Sequence, residues 1–104
     1  MAEYVPGLGE GVATETREQV KPPPMFRVLM HNDDYTTMDF VVAVLRTVFH
    51  KEPEEAVRIM LNVHENGVGV CGVFTEDIAA TKISTVHANA QANGFPLRCS
   101  MEPA

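Results

Sequence analysis

The sequence has few basic residues, and they do not cluster. Eight of the 104 residues are Lys or Arg, against 14 Asp or Glu, so the formal net charge is −6. Proteins that bind nucleic acid place clustered positive charge against the phosphate backbone. We therefore expect no nucleic-acid partner.

Long apolar runs are also missing. No stretch approaches the roughly 20 apolar residues that a membrane-spanning helix needs. The N-terminus lacks the basic-then-apolar layout of a secretory signal. Both absences predict a soluble, cytoplasmic protein.

Cysteine and serine are scarce as well. Cys71 and Cys99 lie in apolar stretches without CxxC spacing, which favours reduced core thiols, although a disulfide between neighbouring strands is possible in an oxidising compartment. The two serines, Ser84 and Ser100, lack the surroundings of a catalytic nucleophile. The four histidines lack the paired spacing of metal ligands. We therefore expect neither a hydrolase nor a metal or cofactor site.

The beginning of the chain differs from the rest in composition. Residues 1–24 are rich in Gly and Glu, contain few large apolar residues and end in three consecutive prolines. We interpret residues 1–24 as a flexible N-terminal extension with a Pro-rich junction. Residues 25–104 then form one core domain, near the lower size limit for an unaided hydrophobic core.

Hydrophobic periodicity in the core domain predicts the element order β-α-α-β-α-β. The predicted strands cover residues 25–31, 68–74 and 97–102. The predicted helices begin at Thr36 or Thr37, at Pro53 and after Thr75, and they end at His50–Lys51, at Asn66–Gly67 and at Gly94. In the third helix we expect Ile78, Ile83 and Val86 to share the buried face. This order predicts an α+β fold: a two-layer βααβαβ sandwich with a three-stranded antiparallel sheet and three helices on one face.

Residues 67–72 match the GxGxxG pattern of dinucleotide-binding proteins. That motif requires a strand before it and a helix opening inside it. Here a predicted helix precedes the pattern and a predicted strand runs through it. We therefore expect the glycines to allow close packing or a bulge within the strand.

One group of residues has the composition of a ligand pocket. A polar turn follows the first strand, and on the second helix two apolar residues and a histidine are neighbours at i, i+3 and i+4 spacing. A pocket with an apolar floor and a polar rim would suit a ligand with a hydrophobic body and a cationic head. The alternative interpretation is that these residues form no shared site: the turn is only a turn, and the histidine lies on the helix surface. The residues are Asn32, Asp33, Asp34, Met38, Met60, Val63 and His64.

Several segments resemble the ClpS family, and they occur in the family's order. Residues 31–40 (HNDDYTTMDF) are similar to its NDDYTPMEF signature, and residues 60–67 (MLNVHENG) to its ML-x-VH segment. Residues 71–75 (CGVFT), 80–82 (ATK) and 96–99 (PLRC) are similar to later motifs. The resemblance implies a non-catalytic adaptor of bacterial proteolysis. Such adaptors bind polypeptides that begin with a large hydrophobic residue (N-degrons) and deliver them to the ClpA unfoldase of the ClpAP protease.

The resemblance also implies residue roles. Asn32, Asp33 and His64 match the groups that bind the substrate's α-amino group. The side-chain pocket matches Thr36, Met38, Val41, Met60, Val63 and Leu97, and Met38 matches the residue that screens out β-branched N-termini. Tyr35, Asp77 and Lys82 match positions that face the N-terminal domain of the unfoldase. The implied protein is a monomer without a cofactor, its substrates begin with Leu, Phe, Tyr or Trp, and its N-terminal extension engages the unfoldase during delivery.

Thr37 departs from the family pattern, which usually has proline there. The departure leaves open whether the chain is a divergent second form with an altered pocket preference. Two other functions compete with the adaptor. An interaction domain of the same fold, like the C-terminal domain of the ribosomal stalk protein, would leave His64 without a role, whereas an enzyme with a His/Asp site would show turnover that titrates with His64.

Overall fold

The computed structural model describes residues 21–104. Its elements are β1 (Met25–His31), α1 (Met38–Thr47), α2 (Pro53–Asn66), β2 (Val68–Thr75), α3 (Glu76–Ala92) and β3 (Arg98–Pro103). The predicted element order and the α+β class are confirmed. Residues 1–20, which make up most of the predicted N-terminal extension, lie outside the described residues.

The sheet is antiparallel with strand order β2-β1-β3, so β1 is its central strand. Alternate residues of β1 point to opposite faces: Val28 and Met30 are fully buried beneath the helices. The other face carries polar contacts between β1 and β3. Arg27 Nε donates to Glu102 Oε2 at 3.0 Å, and His31 Nε2 lies 2.7 Å from Ser100 Oγ.

The two cysteines are free and buried, as the sequence predicted. They belong to β2 and β3, which flank β1 and are not neighbouring strands. Cys71 has no partner on β1, because Val28 pairs with Gly72 and Leu29 with Val70, which makes a β-bulge there. The pKa of the Cys71 thiol is raised by its hydrogen bond to Cys99 and by burial.

Helix α1 ends earlier than predicted. Its last residue is Thr47, whereas the sequence predicted an end at His50–Lys51. His50 adopts a left-handed conformation with φ 57°, so the chain turns while Val48 and Phe49 remain buried. The apolar pattern therefore continues past the helix, and this continuation is what made the helix look longer.

The passage from α2 to β2 explains the glycines of the GxGxxG pattern. Gly67 ends α2 in the left-handed conformation, with φ 85°. Gly69 lies so close to α2 that an added Cβ would stand 2.7 Å from Val63 Cγ2. The expectation of close packing within a strand is confirmed.

Helix α3 departs from the prediction at one of the three residues expected on its buried face. Its buried residues are Ala79, Val86 and Ala90, and Ile83 packs partly against the core. The placement of Ile78 on the buried face was wrong, since this side chain is 47% exposed. The small alanines let the helix lie close to the sheet. Ile78 precedes Ala79 and is therefore turned by about 100° around the helix axis, toward solvent. None of the described helices is long and apolar enough to cross a membrane.

Candidate functional site

The turn after β1 is organised by one carboxylate. Asp33 Oδ1 accepts hydrogen bonds from the backbone N–H groups of Tyr35 at 2.8 Å and Thr36 at 2.7 Å. Asp33 Oδ2 accepts a third from the Thr36 hydroxyl at 2.8 Å. This is the local bonding that makes aspartate favour turns. It fixes the orientation of the carboxylate.

These hydrogen bonds determine the ionisation of Asp33. Partial burial acts to raise its pKa, but the donors on Thr36 and Tyr35 favour the charged form. Their combined effect is larger, so the pKa of Asp33 lies below its usual value. Asp33 is therefore a carboxylate throughout the neutral range.

The turn is joined to the C-terminal end of α2. The backbone N–H of Asn32 donates to the carbonyl oxygen of Gly67 at 2.9 Å. Gly67 follows α2 directly, and His64 lies in the last turn of that helix. This bond continues the pairing of β1 with β2, in which His31 lies opposite Val68, so Asn32 and His64 lie beside the same opening.

A cavity of about 220 Å³ opens between this turn, α1 and α2. Its apolar wall consists of buried Val41, Met60 and Val63. A polar rim and the side chain of Met38 complete it. The lining residues are Asn32, Asp33, Asp34, Thr36, Met38, Val41, Met60, Val63 and His64.

The structure thus brings together eight of the nine residues predicted for amine binding and for the side-chain pocket. The ninth, Leu97, is buried and lines a smaller adjoining cavity of about 10 Å³. That cavity shares five lining residues with the larger one, namely Asn32, Asp33, Thr36, Val41 and Val63. Leu97 therefore lies beside the residues that line the larger cavity, just before β3.

The polar rim of the cavity offers mainly hydrogen-bond acceptors and negative charge. Asn32, Asp33 and His64 offer an amide oxygen, a carboxylate and an imidazole nitrogen. A carboxylate can accept about four hydrogen bonds, and three are made within the turn, so Asp33 Oδ2 retains capacity for one more. Asp34 adds a second negative charge, and none of the lining residues in this described part of the chain is Lys or Arg. The site can accept hydrogen bonds from a cation above an apolar chamber.

Asp34, which the residue pattern placed in the candidate pocket but to which the resemblance gave no role, also lines the cavity. The signal available was its position beside Asp33 in the turn. Its carboxylate makes the rim more negative than Asp33 alone would.

The three residues predicted to face the unfoldase lie outside the cavity. Tyr35 and Asp77 are exposed, and the Thr75 hydroxyl donates to Asp77 Oδ1 at 2.8 Å. Lys82 is half-buried, and its ammonium donates to the Val48 carbonyl at 2.7 Å. The same ammonium lies 5.9 Å from the ring centre of Phe49 and 5.3 Å from that of Phe74. Lys82 therefore joins α3 to the end of α1.

Thr37, which stands where the family pattern has proline, is the N-cap of α1. Its side-chain oxygen accepts the backbone N–H of Phe40 at 3.1 Å. Its φ of −73° and ψ of 153° fall within the range that proline adopts. The backbone of this turn is therefore the one that proline would impose, and threonine adds a hydrogen bond to it.

A metal centre is not indicated in the described part of the chain. Among residues 21–104, no group of three or more His, Cys, Asp or Glu side chains is placed to hold an ion. The Asp33 carboxylate is bonded within its own turn instead.

A fold of this kind, with a rim of hydrogen-bond acceptors over an apolar chamber, defines a binding module. The chain matches the family model of the ATP-dependent Clp protease adaptor protein ClpS over residues 21–100. It is 64% identical over 96 residues to the ClpS adapter of Desulfatibacillum aliphaticivorans, covering 92% of this chain and 91% of that protein. It is 61% identical over 94 residues to that of Myxococcus xanthus, covering 88% of each. The chain belongs to the ClpS family of Clp protease adaptors, which are not enzymes.

A solved structure supports the same assignment. Agrobacterium tumefaciens ClpS2, determined bound to L-phenylalaninamide, superposes with a TM-score of 0.77 at 36% identity. The match covers 80% of this chain and all of that one.

Proposed function

We propose that this adaptor binds the free α-amino group and the bulky hydrophobic side chain of N-degron polypeptides, and that it delivers them to a ClpA-type unfoldase of the ClpAP protease. The observation that carries the proposal is the cavity, in which three hydrogen-bond acceptors lie above buried apolar side chains. The proposed ligand has the same two parts, a cationic amine and an apolar side chain.

The proposed amine contact uses Asn32, Asp33 and His64. An α-ammonium group has three N–H donors, and these residues offer three acceptors. Acetylation removes the charge and leaves one N–H, so polar groups of the rim would be left unpaired, which costs far more than losing a weak contact. Free amino termini are selected in this way over internal residues.

The proposed side-chain contact uses the apolar chamber. The whole cavity, polar rim included, has a volume of about 220 Å³, which leaves room for a bulky side chain below the rim. Burial of such a side chain contributes roughly 1.5–3 kcal/mol. L-phenylalaninamide, the molecule bound to Agrobacterium tumefaciens ClpS2, has both a free α-amino group and an aromatic side chain, which supports the same ligand class here.

Delivery requires a second surface. Tyr35, Asp77 and Lys82 do not line the cavity, so they offer a surface other than the proposed ligand pocket. We assign Tyr35 and Asp77 to direct contact with the N-terminal domain of the unfoldase, and residues 1–24 to engagement during transfer. Because the Lys82 ammonium is bonded to Val48, we assign Lys82 mainly to fixing α3 in place.

The direct test is fluorescence anisotropy with short labelled peptides that begin with Phe, Leu, Tyr, Trp, Ile or Ala, each prepared free and acetylated. We expect tight binding of the free Phe, Leu, Tyr and Trp peptides and weak binding of every acetylated one. Equal affinity for free and acetylated peptides would refute the amine contact.

Matched variants locate the contact. His64→Ala should abolish binding of the free Phe peptide, whereas His50→Asn, at an exposed histidine outside the cavity, should not change it. Degradation of an N-terminal Phe reporter by ClpAP then tests delivery separately. If both histidine variants bind as the parent does, an interaction domain that uses another face becomes the better explanation.

A further inference from the structure

The cavity contains two methionines in different surroundings. Met60 belongs to the buried wall and is 9% exposed, whereas Met38 is 46% exposed. Both line the same space. A thioether at the mouth of a pocket is accessible to solutes, and one in the wall is shielded by its neighbours.

Accessibility governs the oxidation of methionine. Oxidation converts a flexible apolar side chain into a polar sulfoxide, and methionine sulfoxide reductases reverse the change. An apolar pocket that relies on a thioether loses hydrophobic character when that thioether acquires an S–O dipole. The mouth of this cavity is therefore the place where the change would matter most.

We propose that Met38 is an oxidation site through which peroxides reversibly weaken the binding of hydrophobic N-termini; the effect on binding rests on the function proposed above. In the reaction, the Met38 sulfur attacks one oxygen of hydrogen peroxide. An S–O bond forms and the O–O bond breaks. The transferred oxygen loses its proton and the leaving hydroxide takes up a proton, so the products are the sulfoxide and water. The sulfur loses two electrons, and the peroxide gains them.

The consequence for binding follows from the position of Met38. The sulfoxide oxygen would have to give up hydration when a hydrophobic side chain enters beside it. Desolvating one such polar group without a partner weakens affinity by about tenfold. The fold itself should persist, because the more deeply buried Met30 and Met60 are shielded.

Met25 offers a matched control. It is 42% exposed, it begins β1, and it does not line the cavity. Met25 and Met38 should therefore oxidise at comparable rates, but only oxidation of Met38 should affect the pocket.

The experiment treats the parent, Met25→Leu and Met38→Leu proteins with hydrogen peroxide. Peptide mapping by mass spectrometry follows the oxygen gained at each methionine, and anisotropy follows the affinity for a free N-terminal Phe peptide. We expect the parent and Met25→Leu to lose about tenfold in affinity as Met38 oxidises, and to regain it on treatment with the two reductases that act on the two sulfoxide epimers. The ratio of affinities before and after treatment should stay near one in Met38→Leu.

Three results would overturn the inference: oxidation of Met25 without Met38, unchanged affinity after Met38 is oxidised, or an equal loss in Met38→Leu. If the untreated parent binds no free N-terminal peptide, the proposed function fails instead, and the effect on binding fails with it. The two failures are therefore distinguishable in one data set.

Discussion

At the residue scale, the carboxylate of Asp33 has two tasks. It holds the turn through three hydrogen bonds, and in the proposed function it also accepts a hydrogen bond from the substrate's ammonium group. The hydrogen bonds of the turn fix the direction in which the carboxylate faces that ammonium. Much of the precision of the rim therefore depends on Thr36, which supplies two of the three donors.

Thr36→Val should raise the pKa of Asp33. Removing the hydroxyl takes away one hydrogen bond that favours the ionised form. Since the folded-state pKa is depressed, ionised Asp33 stabilises the fold above about pH 4, and this contribution is lost as the pH falls through the folded-state pKa. The variant should therefore be less stable at neutral pH.

An NMR titration of the Asp33 carboxyl carbon measures this shift. Thr36→Ser retains the hydroxyl and should titrate like the parent. Superimposable curves for Thr36→Val and the parent would show that the hydroxyl does not tune Asp33.

Lys82 also has a predictable contribution to stability. Lys82→Met keeps most of the apolar stem but removes the ammonium that bonds the Val48 carbonyl and lies over two rings. We expect a loss of about 1–2 kcal/mol in the free energy of unfolding, because a cation–π contact and a charged hydrogen bond disappear together.

Urea unfolding measures the loss, with Lys51→Met as the control for removing a half-exposed ammonium elsewhere. If the Lys82→Met and Lys51→Met proteins are equally stable, the Val48 contact contributes nothing. The measured stability of Lys82→Met also helps to interpret delivery. If this variant binds the unfoldase more weakly, its stability shows whether loss of structure is the cause.

At the scale of elements, the contact between α2 and β2 positions one wall of the pocket. Gly69→Ala would place a methyl group 2.7 Å from Val63 Cγ2, and Val63 lines the cavity. Overpacking of this kind costs about 1–3 kcal/mol. We expect Gly69→Ala to lower stability and to weaken peptide binding.

A double-mutant cycle checks the cause. Val63→Ala makes room for the added methyl, so it should cost less stability in the Gly69→Ala background than in the parent. Additive losses would mean that the clash is relieved elsewhere. Gly67→Ala is a useful contrast, because its added methyl has open space and its cost would come from the left-handed backbone.

The sequence was most informative about element order. Proline at the start of α2, glycine at its end and Thr37 before α1 marked the helix boundaries. It was least informative where buried residues do not follow the bounds or the helical spacing of a secondary-structure element. Val48 and Phe49 are buried outside α1, and in α3 alanines are buried where a larger Ile78 was expected, because close packing selects small residues.

The site was predictable in part. Helical spacing alone placed Met60, Val63 and His64 on one face, but it could not bring them to the turn at Asn32. That convergence comes from the pairing of β1 with β2, which continues into the Asn32–Gly67 hydrogen bond and has no local pattern in the chain. The resemblance to ClpS implied that these residues share a site, and the structure places them around one cavity.

At the scale of the whole molecule, binding should depend on pH in a way that reports the amine contact. A charged amine donates three hydrogen bonds to the rim, and a neutral amine has fewer donors and no charge. The α-amino group of a peptide has a reference pKa of about 7.7–8.0, so affinity should fall as the pH rises through that range. The depressed pKa of Asp33 keeps that carboxylate charged across this window.

Isothermal titration calorimetry from pH 5.5 to 9 with a free N-terminal Phe peptide tests the profile. His64→Gln keeps a hydrogen-bond acceptor at this position and should show the same fall in affinity at high pH. A flat profile in the parent would contradict a charged amine as the bound form.

The central position of β1 has a consequence for the dynamics of the empty site. Asn32 directly follows the strand that is hydrogen-bonded on both sides, and its own amide is bonded to Gly67. Segments of this kind open only in the rarest, largest fluctuations, so their amides exchange with solvent water last. The backbone that carries Asn32 and the carboxylate of Asp33 are thus in place before a ligand arrives, so in the proposed function little binding free energy is spent on ordering them.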